Sequence, residues 1–494
     1  MYKLNNDFSN QEIVLTKHTS LEMKTRIILT ILSLTIGLNI NGQATTDSTG
    51  VLSLGKAQEM ALSYNKSVIK SKIQFDQMGY DVESYKSHRM PRIELMVTDL
   101  YSTARSNFKL EGGHLPIYTL NEASGSYFPN VKVNSDGSYT LLQYADFPTQ
   151  NFELKMKNLF IGGIQLTQPI YTGGKITSAI NMAEIGQQMA SVNIRLTEDE
   201  IIMKVDEAYM QAVRAKELNV VAESYYAMLQ ELERTVDSAV RHGLRLRNDL
   251  MKVQVKLNEA ELSKQKAENA YLLCRMNICH LTGLPLTEAS NIEIDTFTAN
   301  QDRLLPSTSV DVTRRPEYTI LSKKADLARE EVNLTRSEYL PNVALFGGFV
   351  YANGGELAGK RMLDNGSFSI GVMVKVPLFN FGEGSNKIRS AQARAQLAAI
   401  ELSEKSELME LEIAMCHNEL EECHTEVAIA HKSFDQASEN LRLSKSAYDN
   451  GVELLSDYFE AQAIWREASA TLVEARCKLY LAYTKYLKAT GQLR

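Results

Sequence analysis

Three histidines, His417, His424 and His431, recur at seven-residue intervals, and Cys416 and Cys423 stand beside two of them. Imidazole and thiolate both bind soft transition metals, so a metal-handling stripe is the first chemistry to weigh. Spacing by seven is also what a coiled-coil heptad produces by itself. Zinc sites are built from i, i+3 or i+4 pairs or from ligands converging from other segments, and this run offers no such pair. Cys274, Cys279 and His280 make a weaker case still. Gly112-Gly113 and Gly162-Gly163 lack the lysine and the strand-to-helix context of a phosphate loop. No nucleophile motif, no HExxH and no acid/base dyad stands out. The expectation is a chain that is not an enzyme and holds no metal or cofactor.

The bulk properties narrow the class further. The 494 residues are 44% hydrophobic and 23% charged, which is ordinary for an ordered protein. The formal net charge is -7 and no basic block occurs, so nucleic acid is not an expected partner. Mild acidity fits either simple solubility or a cation-favouring interior. Five cysteines, an odd number, argue against a pure disulfide framework and read as buried thiols.

The start of the chain has the pattern of an export signal. Lys24 and Arg26 precede an apolar run from Ile27 to Ile40, and small residues Gly42 and Ala44 follow it. Met23 is read as the true start, within an upstream and signal segment 1–44. The run is short for a spanning helix, and no later one exists. Membrane entry, if any, must then be by strands.

The elements that would position any site are duplicated. Gln168-Pro169-Ile170-Tyr171-Thr172-Gly173-Gly174-Lys175 matches Val376-Pro377-Leu378-Phe379-Asn380-Phe381-Gly382-Glu383 at an offset of 208 residues. The same offset pairs Ala183 with Ala391, Gly243 with Gly451, Asp249 with Asp457, and Thr282-Gly283 with Thr490-Gly491. Upstream, Pro91 pairs with Pro341 at an offset of 250, so the first copy carries 42 extra residues, around 103–157. Two repeats follow, 51–286 and 310–494, joined by an irregular linker, 287–309.

Each repeat reads as a helix, two strands and a long helical hairpin. The helix carries Val68, Ile69, Ile73 and Val82 in one copy and Ile320, Ala325, Val332 and Leu334 in the other. The strands are expected at about 92–103, 158–169, 342–352 and 366–378. The clearest alternation is Phe368, Ile370, Val372 and Val374 against serine, glycine and methionine. Ten residues is the length of a tilted membrane-spanning strand. The hairpins, 174–283 and 382–491, are almost free of proline and glycine apart from their centres, and imply antiparallel coiled-coil packing. Four strands cannot close a barrel, and an open edge in lipid leaves backbone groups unpaired, so closure needs several chains.

With these features the chain resembles the TolC-like outer-membrane efflux family over nearly all residues after the signal. The carriers are the duplication, the turns Gln168–Gly174 and Val376–Gly382, and two tips in which a glycine precedes an aspartate by six residues, Gly243/Asp249 and Gly451/Asp457. The resemblance implies a homotrimer with a 12-stranded barrel in the outer membrane, continued by a tunnel of long helices in the periplasm. It implies a passive exit duct for cargo delivered by an inner-membrane transporter through a periplasmic adaptor. It implies that Tyr448 and Asp249 latch the periplasmic end, and that Asp457 with Glu460 lines the constriction. It places the adaptor contact at the tips, Gly243, Leu244, Gly451 and Val452, and the strand-to-helix turns at Pro169, Gly173, Gly174, Pro377 and Gly382. The chain departs at Glu453, where a latch arginine is expected, and Arg245 is the candidate to replace it. The competing reading is a periplasmic coiled-coil scaffold with a small sheet and no barrel.

Overall fold

The computed structural model describes residues 50–156, 158–296, 311–357 and 359–493. The export segment 1–44 and most of the linker, 297–309, lie outside the described residues. All elements below belong to one unit, Leu52–Arg494.

The first repeat opens with two helices, α1 (Leu54–Tyr64) and α2 (Lys66–Ser87). Asn65 separates them, and its side chain accepts the Ser67 N–H at 2.9 Å, an N-cap that restarts the helix. Strand β1 (Arg92–Leu100) follows, and β10 (Leu159–Tyr171) returns beside it. Between them the extra segment forms strands rather than a plain loop. They are β2 (Arg105–Leu110), β3 (Gly113–Pro116), β4 (Tyr118–Asn121), β5 (Ser126–Pro129), β6 (Val131–Val133), β7 (Tyr139–Leu141), β8 (Tyr144–Phe147) and β9 (Gln150–Lys155). Then come α3 (Lys175–Arg241) and α4 (Arg247–Thr282). The second repeat is α5 (Pro316–Ser337), β11 (Asn342–Leu357), β12 (Lys360–Lys375), α6 (Glu383–Asp449) and α7 (Leu455–Ala489).

The spanning sheet is antiparallel in the order β1-β10-β11-β12. Directly paired residues share a face. Leu95, Ile164 and Phe349 are in register, and Phe349 pairs with Phe368. Ile93, Leu166 and Gly347 are in register with Ile370, and Leu345 pairs with Val372. One face is therefore apolar across all four strands in these rows, apart from Gln168 of β10, which stands opposite Leu345 at the helix-proximal end. Phe346 breaks the alternation in sequence, and the fold accounts for it: its ring lies over Gly371 of β12, where a side chain would collide with it. The last strand stops at Lys375, short of the expected 378, because Pro377 has no N–H to continue the ladder. In the first copy β10 runs on past Pro169 only through a register shift.

α3 and α6 each have 67 residues, so each is about 100 Å long. Each is flanked by two shorter helices. α3 packs on α2 and α4, and α6 packs on α5 and α7. The repeats meet where α3 lies against α5 and α7. Each long helix begins at a glycine with positive φ, Gly174 at 91° and Gly382 at 85°. Gly173 is also steric: a Cβ there would lie 2.6 Å from the Leu340 Cβ. The turn can approach α5 only without a side chain.

The main core sits where α1 crosses the middle of α3. Leu54, Ala57, Ala61, Val205, Tyr209, Met210 and Ile278 are buried there. A second cluster fills the hairpin tips, with Tyr225, Leu229, Leu250, Val253, Tyr448, Leu455 and Tyr458.

Candidate gate at the helical tips

Both tips are built the same way. Gly243 (φ 73°) ends α3 and Gly451 (φ 75°) ends α6 in the left-handed conformation that glycine adopts without strain. The Leu244 N–H then reaches back to the Ala239 carbonyl at 2.8 Å, and the Val452 N–H to Ala447 at 2.9 Å. These bonds satisfy carbonyls that a helix end leaves open. The return helices start three or four residues on.

The geometry exposes a pair of apolar residues at each tip. Leu244 and Leu246 are 78% and 72% exposed, and Val452 and Leu454 are 83% and 67% exposed. Leu246 and Leu454 were not singled out from sequence. The 208-residue offset that pairs Gly243 with Gly451 also pairs these two, and that signal could have found them.

Tyr448 lies buried at the end of α6 and stacks on Tyr458 of α7, with ring centroids 5.4 Å apart and planes 12° from parallel. The Arg245 guanidinium, from the other hairpin's tip, stands 4.8 Å from the Tyr448 ring centre. A cation over an aromatic face is attracted by the ring quadrupole. Burial pushes the Tyr448 phenol up, and Arg245 partly opposes the shift. Asp249 sits in the first turn of α4, where its carboxylate suits the helix N-terminus, and pairs with Lys252 at 3.7 Å. Its charge adds to the upward shift of Tyr448. Lys445 of α6 reaches Glu231 of α3 at 3.3 Å, a second tie between the hairpins.

Asp457 and Glu460 are exposed, one turn apart, while Leu455, Tyr458 and Ala461 of the same helix face inward. The Ser456 hydroxyl donates to Asp457 at 3.0 Å. The structure thus gathers Tyr448, Arg245 and Tyr458 into one contact and leaves Asp457 and Glu460 on a free face.

Gln462 was also missed in sequence. It is fully buried on α7, one turn beyond Tyr458. The Gln462 amide lies beside the Tyr458 hydroxyl and eases the upward shift that burial gives that phenol, but at a geometry too poor to complete a hydrogen bond from either amide atom. The buried Ser444 hydroxyl of α6 is likewise unpartnered. A buried polar group left so costs about 1–3 kcal/mol.

The cysteine and histidine run on α6 has a packing role. Cys416 and Cys423 are buried against Ala482, Tyr486 and Leu479 of α7, and burial pushes both thiols up. His431 faces Asp435 at 3.0 Å on the helix surface. All five cysteines are free thiols.

Comparison with known proteins agrees with this architecture. A family model described as outer membrane efflux protein matches residues 58–284 and 314–492. The outer membrane protein TolC of Vibrio cholerae is 22% identical over 341 residues, covering 68% of this chain and 77% of that protein. The alkaline protease secretion protein AprF of Pseudomonas aeruginosa is 21% identical over 349 residues, covering 68% and 69%. The solved outer membrane protein VceC of Vibrio cholerae shares the fold at a TM-score of 0.66 and 15% identity, over 89% of this chain and 96% of that one. The CmeC outer membrane channel of Campylobacter jejuni does so at 0.64 and 18%, over 89% and 86%. With two matched segments that span most of its length, this chain belongs to the outer membrane efflux protein family.

Proposed function

We propose that three copies of this chain close a 12-stranded barrel in the outer membrane, and that the helices continue it as a periplasmic exit duct. The observation that carries this is the spanning sheet. Its four strands present one continuous apolar face, while β1 and β12 each keep an outer edge unpaired among the described residues. An edge of up to 16 residues cannot be left open in lipid. The outer helices agree with it. α2 leaves Ile69, Ile73 and Tyr80 exposed, and α6 leaves Leu397, Ile400, Leu411 and Met415 exposed, as two flanks that neighbouring copies would cover.

The duct performs no chemistry; cargo moves because an inner-membrane transporter delivers it through a periplasmic adaptor. Leu244, Leu246, Val452 and Leu454 are the apolar tip residues such an adaptor would cover. Asp457 and Glu460, on the free face of α7, would place six carboxylates around a threefold mouth and favour cations there. Names among the relatives include secretion proteins for proteases and an outer membrane efflux protein of Brucella suis.

The test is the native mass of protein extracted in mild detergent from outer membranes. A trimer is the expected result, and a soluble periplasmic monomer would favour the scaffold reading. Val372→Arg, on the apolar face, should cost about 2–4 kcal/mol and block assembly. Asp457→Ala should reduce cation selectivity of single channels in a planar bilayer, and unchanged selectivity would remove Asp457 from the mouth.

A further inference from the structure

The segment between β2 and β9 is the part of the chain that duplication does not account for. It is a lobe of three short hairpins, β3–β8, β4–β5 and β6–β7. They meet at a three-way junction closed by main-chain hydrogen bonds. The Ile117 N–H donates to Gln143 at 3.2 Å, Asn130 to Ile117 at 2.8 Å, and Leu142 to Asn130 at 3.0 Å. The Asn130 amide donates to the Gln143 side chain at 2.9 Å.

The lobe has defined hydrogen bonding but no core. From Gly112 to Thr149 no residue is buried. Two-stranded hairpins are marginal in water without a packed face. Yet the lobe is rich in large apolar side chains: Tyr127 and Tyr139 are 69% and 70% exposed, and Tyr118, Leu120, Phe128 and Val133 are exposed too. A surface of this kind is normally covered by a partner.

Charge narrows the partner. Lys132 is the only lysine or arginine between Gly112 and Thr149, against Glu122, Asp136 and Asp146. A surface with one cation and three anions does not attract anionic headgroups. The exposed patch itself is tyrosine, leucine, phenylalanine and valine, and another copy of the lobe supplies an apolar surface of the same kind.

Placement points the same way. The stalk β2–β9 leads away from the long helices, and β9 pairs with the far end of β11, Leu154 with Leu357 and Lys155 with Glu356. The lobe therefore stands at the outer rim of the sheet. Twelve strands about 4.8 Å apart and tilted about 40° give a rim about 24 Å across. A lobe of about 36 residues is about 22 Å across even if compact. Three lobe centres on that rim stand about 21 Å apart, so the lobes meet.

We infer that the lobes of three copies dock on one another through these tyrosines and form a cover over the outer mouth. The inference rests on the trimeric reading above. Its test is hydrogen exchange on the purified trimer in detergent. Amides of β3 to β8 should exchange at least about 100-fold more slowly than unprotected ones. A variant with Tyr118→Ser, Tyr127→Ser, Phe128→Ser and Tyr139→Ser should lose that protection while the spanning strands keep theirs. Lobe amides that exchange freely in an intact wild-type trimer would overturn the cover and leave the trimer standing. Protection that appears only when outer-leaflet glycolipid is added back would assign the lobe to that ligand, and also overturns it. A chain that runs as a monomer would remove both readings.

Discussion

The middle of α3 and the tips of the hairpins are both cores of aromatic and aliphatic side chains, but the polar side chains buried deepest in them are partnered differently. At the middle, the Tyr209 hydroxyl sits between the carbonyls of Leu52 and Asp295, at 2.8 and 2.9 Å, and shares its proton with them. The Gln58 amide donates to the buried Asp206 carboxylate at 2.5 Å. Lys216 reaches the Ile294 carbonyl at 2.8 Å. At the tips, Gln462 and Ser444 are buried with unanswered polar atoms, and a cation–aromatic stack does the tying. A satisfied polar network rigidifies, and an unsatisfied one lowers the cost of parting. On the gate proposed above, the middle is the part that stays shut and the tip, where Gln462 and Ser444 lack partners, is the part that opens.

The sharpest way to break this contrast is to cut into the middle. Tyr209→Ala removes a fully buried ring and strands two carbonyls, and should cost about 3–5 kcal/mol. Thermal unfolding of the purified protein should show it as a large drop in melting temperature. Tyr448→Ala, a similar truncation at the tip, should lower the melting temperature less and instead lengthen channel openings. Equal melting losses from the two would erase the distinction between the regions.

A smaller effect of opposite sign is expected from Gln462→Leu. It replaces an unpartnered buried amide by an apolar side chain of similar size. The tip seam should gain about 1–3 kcal/mol in its closed arrangement. Single-channel recordings should then show rarer openings, with conductance in the open state unchanged. More frequent openings would mean that the amide does find a partner in the closed seam.

How much of this was readable beforehand follows from what each feature depends on. The four spanning strands depend on local alternation and on prolines that end the preceding helices, and both are written in short stretches such as Phe368 to Val374. The tip turns depend on glycine, so Gly243 and Gly451 mark them directly. The lobe was legible in the sequence only as 42 extra residues, around 103–157, in the first copy. Its strands are three to four residues long and bury nothing, so no periodic pattern had to be kept. Gln462 could not be told from a surface glutamine, because its burial comes from helices distant in the chain. The tie between Arg245 and Tyr448 is of the same kind: 203 residues separate two groups that only the packing of one hairpin on the other brings together.

That tie gives the smallest and most specific test. Arg245 is half-buried, so its attraction to the Tyr448 face should be worth about 0.5–1 kcal/mol. Arg245→Ala should therefore raise the open probability of single channels by roughly two- to fivefold. Arg245→Lys keeps a cation over the ring and should restore most of the closed time. Melting temperature should not move in either variant, because the middle of α3 is untouched. If Arg245→Ala and Arg245→Lys both match the wild type, the stack packs the tip but does not hold it shut, and Lys445 with Glu231 becomes the tie to cut next.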